Sequence, residues 1–277
     1  MTPTPLTIPH AAEAAAKAWP DAPAVIEGAT VTSFAGLWQE CRAAAAALMA
    51  QGVGAGDRVA IWAPNRREWI AAAVGTMVLG AAVVPLNTRL KGREAGDILR
   101  RTRARVLFTV RDFLGIDYLR LLEEEALPDL GPRVLMDGDW AGFLAGGAAV
   151  HPARIDAALS EIGPDTVSDI LFTSGTTGSP KGVLMTHGRV LPQCGVWIGN
   201  TGLTFGDRYL IANPFFHSFG MKVGWVACLL SGAVAVPMAQ FDVAEAIELI
   251  EQLKISFFPG PPTVFQMILA EKDKRPI

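Results

Sequence analysis

Between Gly56 and Met136 the sequence carries four short apolar runs that do not alternate with polar residues. They are GDRVAIWAP (Gly56–Pro64), AAVVPLN (Ala81–Asn87), RVLFTV (Arg105–Val110) and RVLM (Arg133–Met136). A strand with one wet face shows period two, so an unbroken apolar run marks a strand covered on both faces, as in a parallel sheet. Parallel strands need crossover connections, and the intervening segments have helical character. Asn65–Gly80 reads as a helix with Asn65 as its cap. Arg93–Ala104 is amphipathic, and Phe113–Ala126 reads as a third helix.

Asp137–Pro164 breaks the rhythm with Gly, Ala and Pro, and reads as a connection with a short helix at Pro152–Ser160. The alternation then resumes. VSDILFTS is a strand, Thr186–Gly199 a helix interrupted near Pro192, and RYLIANP a strand. Met221–Gly232 reads as a buried helix and AVAVPM as a strand. Asp242–Lys254 reads as a helix capped by Asp242, ISFFPG as a strand, and PPTVFQMILAEKD as a helix with proline in its first turn. Ahead of all this, Ala22–Phe34 reads as a small hairpin and leads into an Ala-rich helix ending at Gln51. The pattern predicts an α/β fold of layered, doubly wound, mostly parallel sheets flanked by helices. The units before and after Gly163 divide the chain into 1–163 and 164–277, as two sheets or two subdomains.

Composition narrows the function. Of 277 residues, 51% are hydrophobic and 18% charged, enough for a substantial core. The net charge is −3 and no basic tract occurs, which argues against nucleic acid as a partner. Cys41, Cys194 and Cys228 are widely spaced and odd in number, so they read as reduced thiols of a cytoplasmic protein. MTPTPLTIPH lacks the charged and apolar regions of a signal peptide. Ile70–Leu86 is uncharged over 17 residues, but its Ala, Gly and late Pro fit a buried helix and strand better than a membrane span.

LFTSGTTGSPKGVLMTH (Leu171–His187) is the chemically loaded stretch. Its strand delivers a glycine- and hydroxyl-rich loop at the edge where open α/β sheets bind ligands. Glycines permit close backbone approach, and successive backbone N–H groups form an anion-binding concavity. Thr173, Ser174, Thr176, Thr177 and Ser179 add hydroxyls, and Lys181 adds a positive charge. With a helix following, these are the parts of a polyphosphate site. The loop is not a Walker A motif: counted from Gly175, the second glycine position holds Pro180, and Gly182 follows Lys181. GVGAGD (Gly52–Asp57) likewise fails the dinucleotide fingerprint.

The order S-G-T-T-G-x-P-K-G resembles the phosphate-binding signature of the adenylate-forming (AMP-binding) superfamily, which includes acyl-CoA synthetases, aryl-CoA ligases and luciferases. The likeness extends to Gly56–Asn87, to NPFFHSFG (Asn213–Gly220) and to FFPGPPTVFQMI (Phe257–Ile268). It implies ATP-dependent activation of a carboxylic acid, fatty or cyclic and steroid-derived, to an acyl-adenylate and then to an acyl-CoA. It implies ATP, Mg²⁺ and CoA as the small molecules used. By motif position, Thr173, Ser174, Gly175, Thr176, Thr177, Gly178 and Lys181 would contact ATP, and His217 would stand near the carboxylate and α-phosphate as the catalytic side chain. The plainer reading of His217 is a histidine packed among Phe215, Phe216 and Phe219. For Met221, Trp197 and Trp225, core packing is the simpler role. His187 reads as the start of the next helix.

The family's Tyr-Gly-x-Thr-Glu and Thr-Gly-Asp motifs and its C-terminal lysine do not occur here. The expectation is an N-terminal half without the mobile lid domain, inactive alone in acyl-CoA formation and prone to homodimerise through apolar surface. No metal-binding residue is identified. Two rivals stand: a non-catalytic nucleotide-binding or interaction module, and an adenylating enzyme with another acyl acceptor or an amino-acid substrate. Asn213–Leu230 carries Lys222 but no acid to hold an amine, which favours a plain carboxylic acid.

Overall fold

In the computed structural model, which describes residues 5–173 and 180–272, ten strands form two sheets among the described residues. In chain order they are β1 (Pro23–Glu27), β2 (Thr30–Ser33), β3 (Arg58–Trp62), β4 (Ala82–Pro85), β5 (Val106–Thr109), β6 (Arg133–Leu135), β7 (Val167–Thr173), β8 (Lys181–Thr186), β9 (Arg208–Ile211) and β10 (Val234–Pro237). One sheet has the order β6-β5-β3-β4-β7-β8 and the other β2-β1-β10-β9. All neighbours are parallel except two pairs, β7 with β8 and β1 with β2, so each sheet ends in an antiparallel hairpin.

The larger sheet winds outward in both directions from β3, the doubly wound arrangement expected of such a sequence. Its apolar strands are buried as their composition requires: β4 and β5 have no exposed residue. A cut at residue 163 does not separate the sheets. β7 and β8 join the larger sheet beside β4, while β1 and β2 join the smaller one beside β10. The chain therefore crosses between sheets twice.

Several helices match their expected places: Phe34–Ala50, Gly92–Thr102, Pro152–Glu161, Val243–Gln252 capped by Asp242, and Pro262–Lys272. Phe34–Ala50 packs so closely on Arg67–Val78 that a Cβ at Gly75 would lie 2.8 Å from the Cys41 carbonyl oxygen. Five features depart from expectation. A helix at Ile8–Ala18 precedes the hairpin, capped by Thr7. Another, Trp140–Ala145, lies within the 137–164 connection. The helix expected over Phe113–Ala126 shrinks to Tyr118–Leu121, because Leu114 and Gly115 adopt positive φ. Ile255–Gly260 is not a strand but a single parallel bridge between Phe257 and Tyr209. The segment expected as a helix from Met221 is helical over Phe219–Val226 but kinked at Gly224, whose backbone angles are not helical, and continues as Ala227–Ser231.

Candidate functional site

The carboxyl ends of β3, β4 and β7 share one edge, because these strands are parallel neighbours. Thr173 ends β7 and pairs directly across the hairpin with Lys181, which opens β8. Both are exposed. Of the residues expected to contact ATP, the two that are described, Thr173 and Lys181, thus face each other across one rung, at the feet of the connection. Ser174, Gly175, Thr176, Thr177 and Gly178 lie outside the described residues.

The exit from the loop differs from the expected strand, loop and helix. β8 intervenes, and the helix His187–Thr201 begins only after Thr186, which pairs with Val167 at the opposite end of β7. Six strand residues at about 3.3 Å each put that helix N-terminus roughly 20 Å from Lys181. Its dipole acts within about its first turn, so it does not reach Lys181. Positive charge at the hairpin comes from side chains instead. Arg101, on the helix Gly92–Thr102, donates from Nη1 to the Pro180 carbonyl at 2.8 Å. Its guanidinium lies 5.2 Å from the ring centroid of Phe172, a cation–π contact that straps the hairpin from the other side.

His217 follows β9 in the smaller sheet and is exposed, so it is not the buried histidine of the plainer reading. Phe215 takes the core position beside it, edge-on to Trp69 with centroids 5.6 Å apart. The Phe219 N–H donates to His217 Nδ1 at 3.3 Å. With Nδ1 accepting, the neutral ring carries its proton on Nε2, which is free to donate outward. Trp197 packs edge-on against Phe219 at 5.3 Å, and Met221 and Trp225 are core residues.

Asn65 holds this segment in place. It was expected to cap a helix, but the helix begins at Arg67, whose N–H donates to Glu27 Oε2 at 2.9 Å. Asn65 turns the other way. Its Nδ2 donates to the carbonyls of Ile211 (3.1 Å) and Asn213 (2.9 Å), and its Oδ1 accepts from the Phe215 N–H (2.6 Å). A side chain from the end of β3 thereby fixes the start of the histidine segment. Gly220 packs the same turn, where a Cβ would meet the carbonyl oxygens of Pro214 at 2.3 Å and Asn213 at 2.4 Å.

Beneath the hairpin lies a buried ion pair. Lys222 Nζ stands 3.1 Å from Asp169 Oδ2, and the two side chains are 3% and 0% exposed. Ser168 Oγ donates to Asp169 Oδ1 at 2.7 Å. Burial pushes the Asp169 carboxyl up, against the opposing pull of Lys222 and Ser168. Lys222 was visible in the sequence only as a lone charge in an apolar segment, and Asp169 only as the start of a strand. Neither signalled its partner. His187 is also buried, with Nδ1 accepting from the Ile8 N–H at 3.3 Å, and burial followed by neighbouring His10 pushes it down to about 4. Cys41, Cys194 and Cys228 are buried, and burial raises each thiol. Among the described residues no cluster of three or more His, Cys, Asp or Glu side chains is arranged to hold a metal ion.

Comparison with known proteins adds to this geometry. Residues 12–276 match the sequence model of the family described as AMP-binding enzyme. A ligase of Rhodococcus jostii that forms 3-[(3aS,4S,7aS)-7a-methyl-1,5-dioxo-octahydro-1H-inden-4-yl]propanoyl-CoA is 42% identical over 99% of this chain and 56% of its own length. Its counterpart in Mycobacterium tuberculosis is 44% identical over 96% of this chain and 54% of its own length. The chain thus spans about half the length of these curated relatives. Among solved structures, the inhibitor-bound N-terminal domain of FACL13 from Mycobacterium tuberculosis superimposes with a TM-score of 0.84 at 28% identity, covering 95% of this chain and 65% of that one. A fatty acyl CoA synthetase of the same organism gives 0.84 at 26% identity, covering 95% and 50%.

Proposed function

Since the chain belongs to the AMP-binding enzyme family, we propose that it supplies the phosphate-binding and histidine portion of an ATP-dependent acid–thiol ligase. The observation that carries this reading is the pairing of Thr173 with Lys181 at the feet of the Ser174–Ser179 connection. In the first step a carboxylate oxygen attacks the α-phosphorus of ATP, the bond to the bridging oxygen breaks, and pyrophosphate leaves. The leaving group gains charge, and fixed donors aimed there lower the barrier. Lys181 and the loop's backbone and hydroxyl donors, with Thr173, would hold the departing phosphates. The Nε2–H of His217 would orient the carboxylate or the α-phosphate. In the second step the CoA thiolate attacks the acyl carbon and AMP leaves with the bonding electron pair. Mg²⁺ would arrive on the nucleotide's phosphates, as is usual for an ion that keeps much of its water shell.

The acid we infer is a fused-ring alicyclic propanoate like those named for the two ligases above, in preference to an amino acid. Asn213–Leu230 has no acid to hold an amine, and Asp169, the acid that reaches this segment, is committed to Lys222. Its three buried, unpaired thiols support a cytoplasmic setting. Val183 and Leu184, exposed on edge strand β8, favour a homodimer of these 277 residues. Calorimetry of MgATP binding tests the core of the reading. Lys181→Ala combined with Thr176→Ala should weaken ATP at least about tenfold, the worth of one charge-assisted contact. Unchanged affinity would remove the loop from the nucleotide site.

A further inference from the structure

The Lys222–Asp169 pair joins the two halves of the site. Asp169 is fixed in the interior of the larger sheet, in register with Val83 of β4 on one side and Met185 of β8 on the other. Side chains alternate along a strand, so Asp169, Leu171 and Thr173 share a face, and Lys181 opposite Thr173 shares it too. Asp169 is thus a rigid post about 13 Å upstream of Thr173 along the strand. Lys222 lies five positions after His217, two residues before the kink at Gly224 in the other sheet's connection. Its carbonyl accepts from Cys194 Sγ at 3.0 Å, which ties the same residue to the helix after β8.

A buried ion pair is poor evidence for stability, since an apolar pair of equal volume often does as well or better. Its better-attested use is to fix one arrangement among several of similar packing quality. Asn65 and Gly220 fix where the histidine segment starts. Among the described residues, Lys222–Asp169 is the ion pair that ties the segment beyond His217 to β7. We propose that Lys222 and Asp169 are positioning residues that set the His217 imidazole against the strand pair bearing Thr173 and Lys181. The assignment rests on the reading of those residues as one site.

The test compares Asp169→Leu/Lys222→Met with the unmodified 277-residue chain, using thermal unfolding and side-chain ¹⁵N spectra of His217. In the unmodified, ligand-free chain His217 should show the Nε2–H tautomer, held by the Phe219 N–H. In the double variant the melting temperature should stay near that of the parent, while the tautomer ratio falls about fivefold, the worth of one hydrogen bond of roughly 1 kcal/mol. A folded double variant with an unchanged tautomer would overturn the proposal, as would a parent chain lacking the Nε2–H form. If the double variant does not fold, Asp169→Asn keeps the shape and removes one charge. A partial fall supports the proposal, and an unchanged spectrum overturns it. MgATP is then added to the parent. A His217 signal that ignores ATP while keeping its tautomer would count against the ligase reading and leave the positioning role standing.

Discussion

β4 and β8 lie in the same sheet, separated only by β7, and they solve opposite problems. Every residue of β4 is buried; no residue of β8 is. β4 contributes Ala, Val, Val and Pro to a dry interior, whereas β8 begins with an exposed lysine and shows Val183 and Leu184 to solvent. β7 mediates between them with two fully buried polar residues, Ser168 and Asp169, then grades outward to exposed Thr173. The sheet is thus ordered laterally, from hydrophobic scaffold to chemical edge, across two strand spacings of about 4.8 Å.

That gradient can be challenged. The largest effect should come at its middle. Lys222→Met leaves Asp169 buried without a counter-charge and should cost about 3–5 kcal/mol in urea unfolding at neutral pH. A loss below about 1 kcal/mol would mean that water reaches the carboxylate and that the gradient is shallower than drawn. The next is His187, where the chain leaves β8 and plunges into the core. Its folded value of about 4 lies below the ordinary 6.5, so the folded state binds the proton more weakly than the unfolded one. The stability held above pH 6.5 should fall as the pH drops toward 4, by on the order of 3 kcal/mol. His187→Asn, whose oxygen can still accept from the Ile8 N–H, should flatten that limb of the pH curve. In β4, Val84→Ala removes two buried methyl groups and should cost about 2 kcal/mol. In β8, Leu184→Ser should change stability by no more than about 0.5 kcal/mol. Equal costs for these last two would erase the contrast.

The scaffold end was far more legible than the chemical end. β3, β4 and β5 announce themselves because burial on both faces favours apolar residues, whereas β6, at the sheet's edge, keeps an apolar pattern with no fully buried residue. The loop is legible because anion binding demands glycine, hydroxyl and lysine in one order. β8 is obscure because KGVLMT is an edge strand of six residues whose apolar positions face water, and no periodicity marks it as distinct from the helix that follows. Asn65 misleads for a chemical reason. An asparagine before a helix and an asparagine clamping a distant backbone look identical in sequence, and Glu27 had already satisfied the helix N-terminus from another strand. His217 was legible through its motif. Lys222 and Asp169 were not paired, because their contact joins two sheets across 53 residues and only tertiary structure brings them together. The kink at Gly224 is likewise invisible to a search at 3.6-residue spacing.

The amide of Asn65 has a bearing on how the protein ages. Hydrolysis to aspartate would change a single heavy atom and leave the shape intact. It would replace the Nδ2 donor with a carboxylate oxygen facing the carbonyls of Ile211 and Asn213 at 3.1 and 2.9 Å. Two attractions would become two repulsions at the entry to the histidine segment. A stored sample could thus lose the alignment of its site while keeping its mass almost unchanged and its core intact.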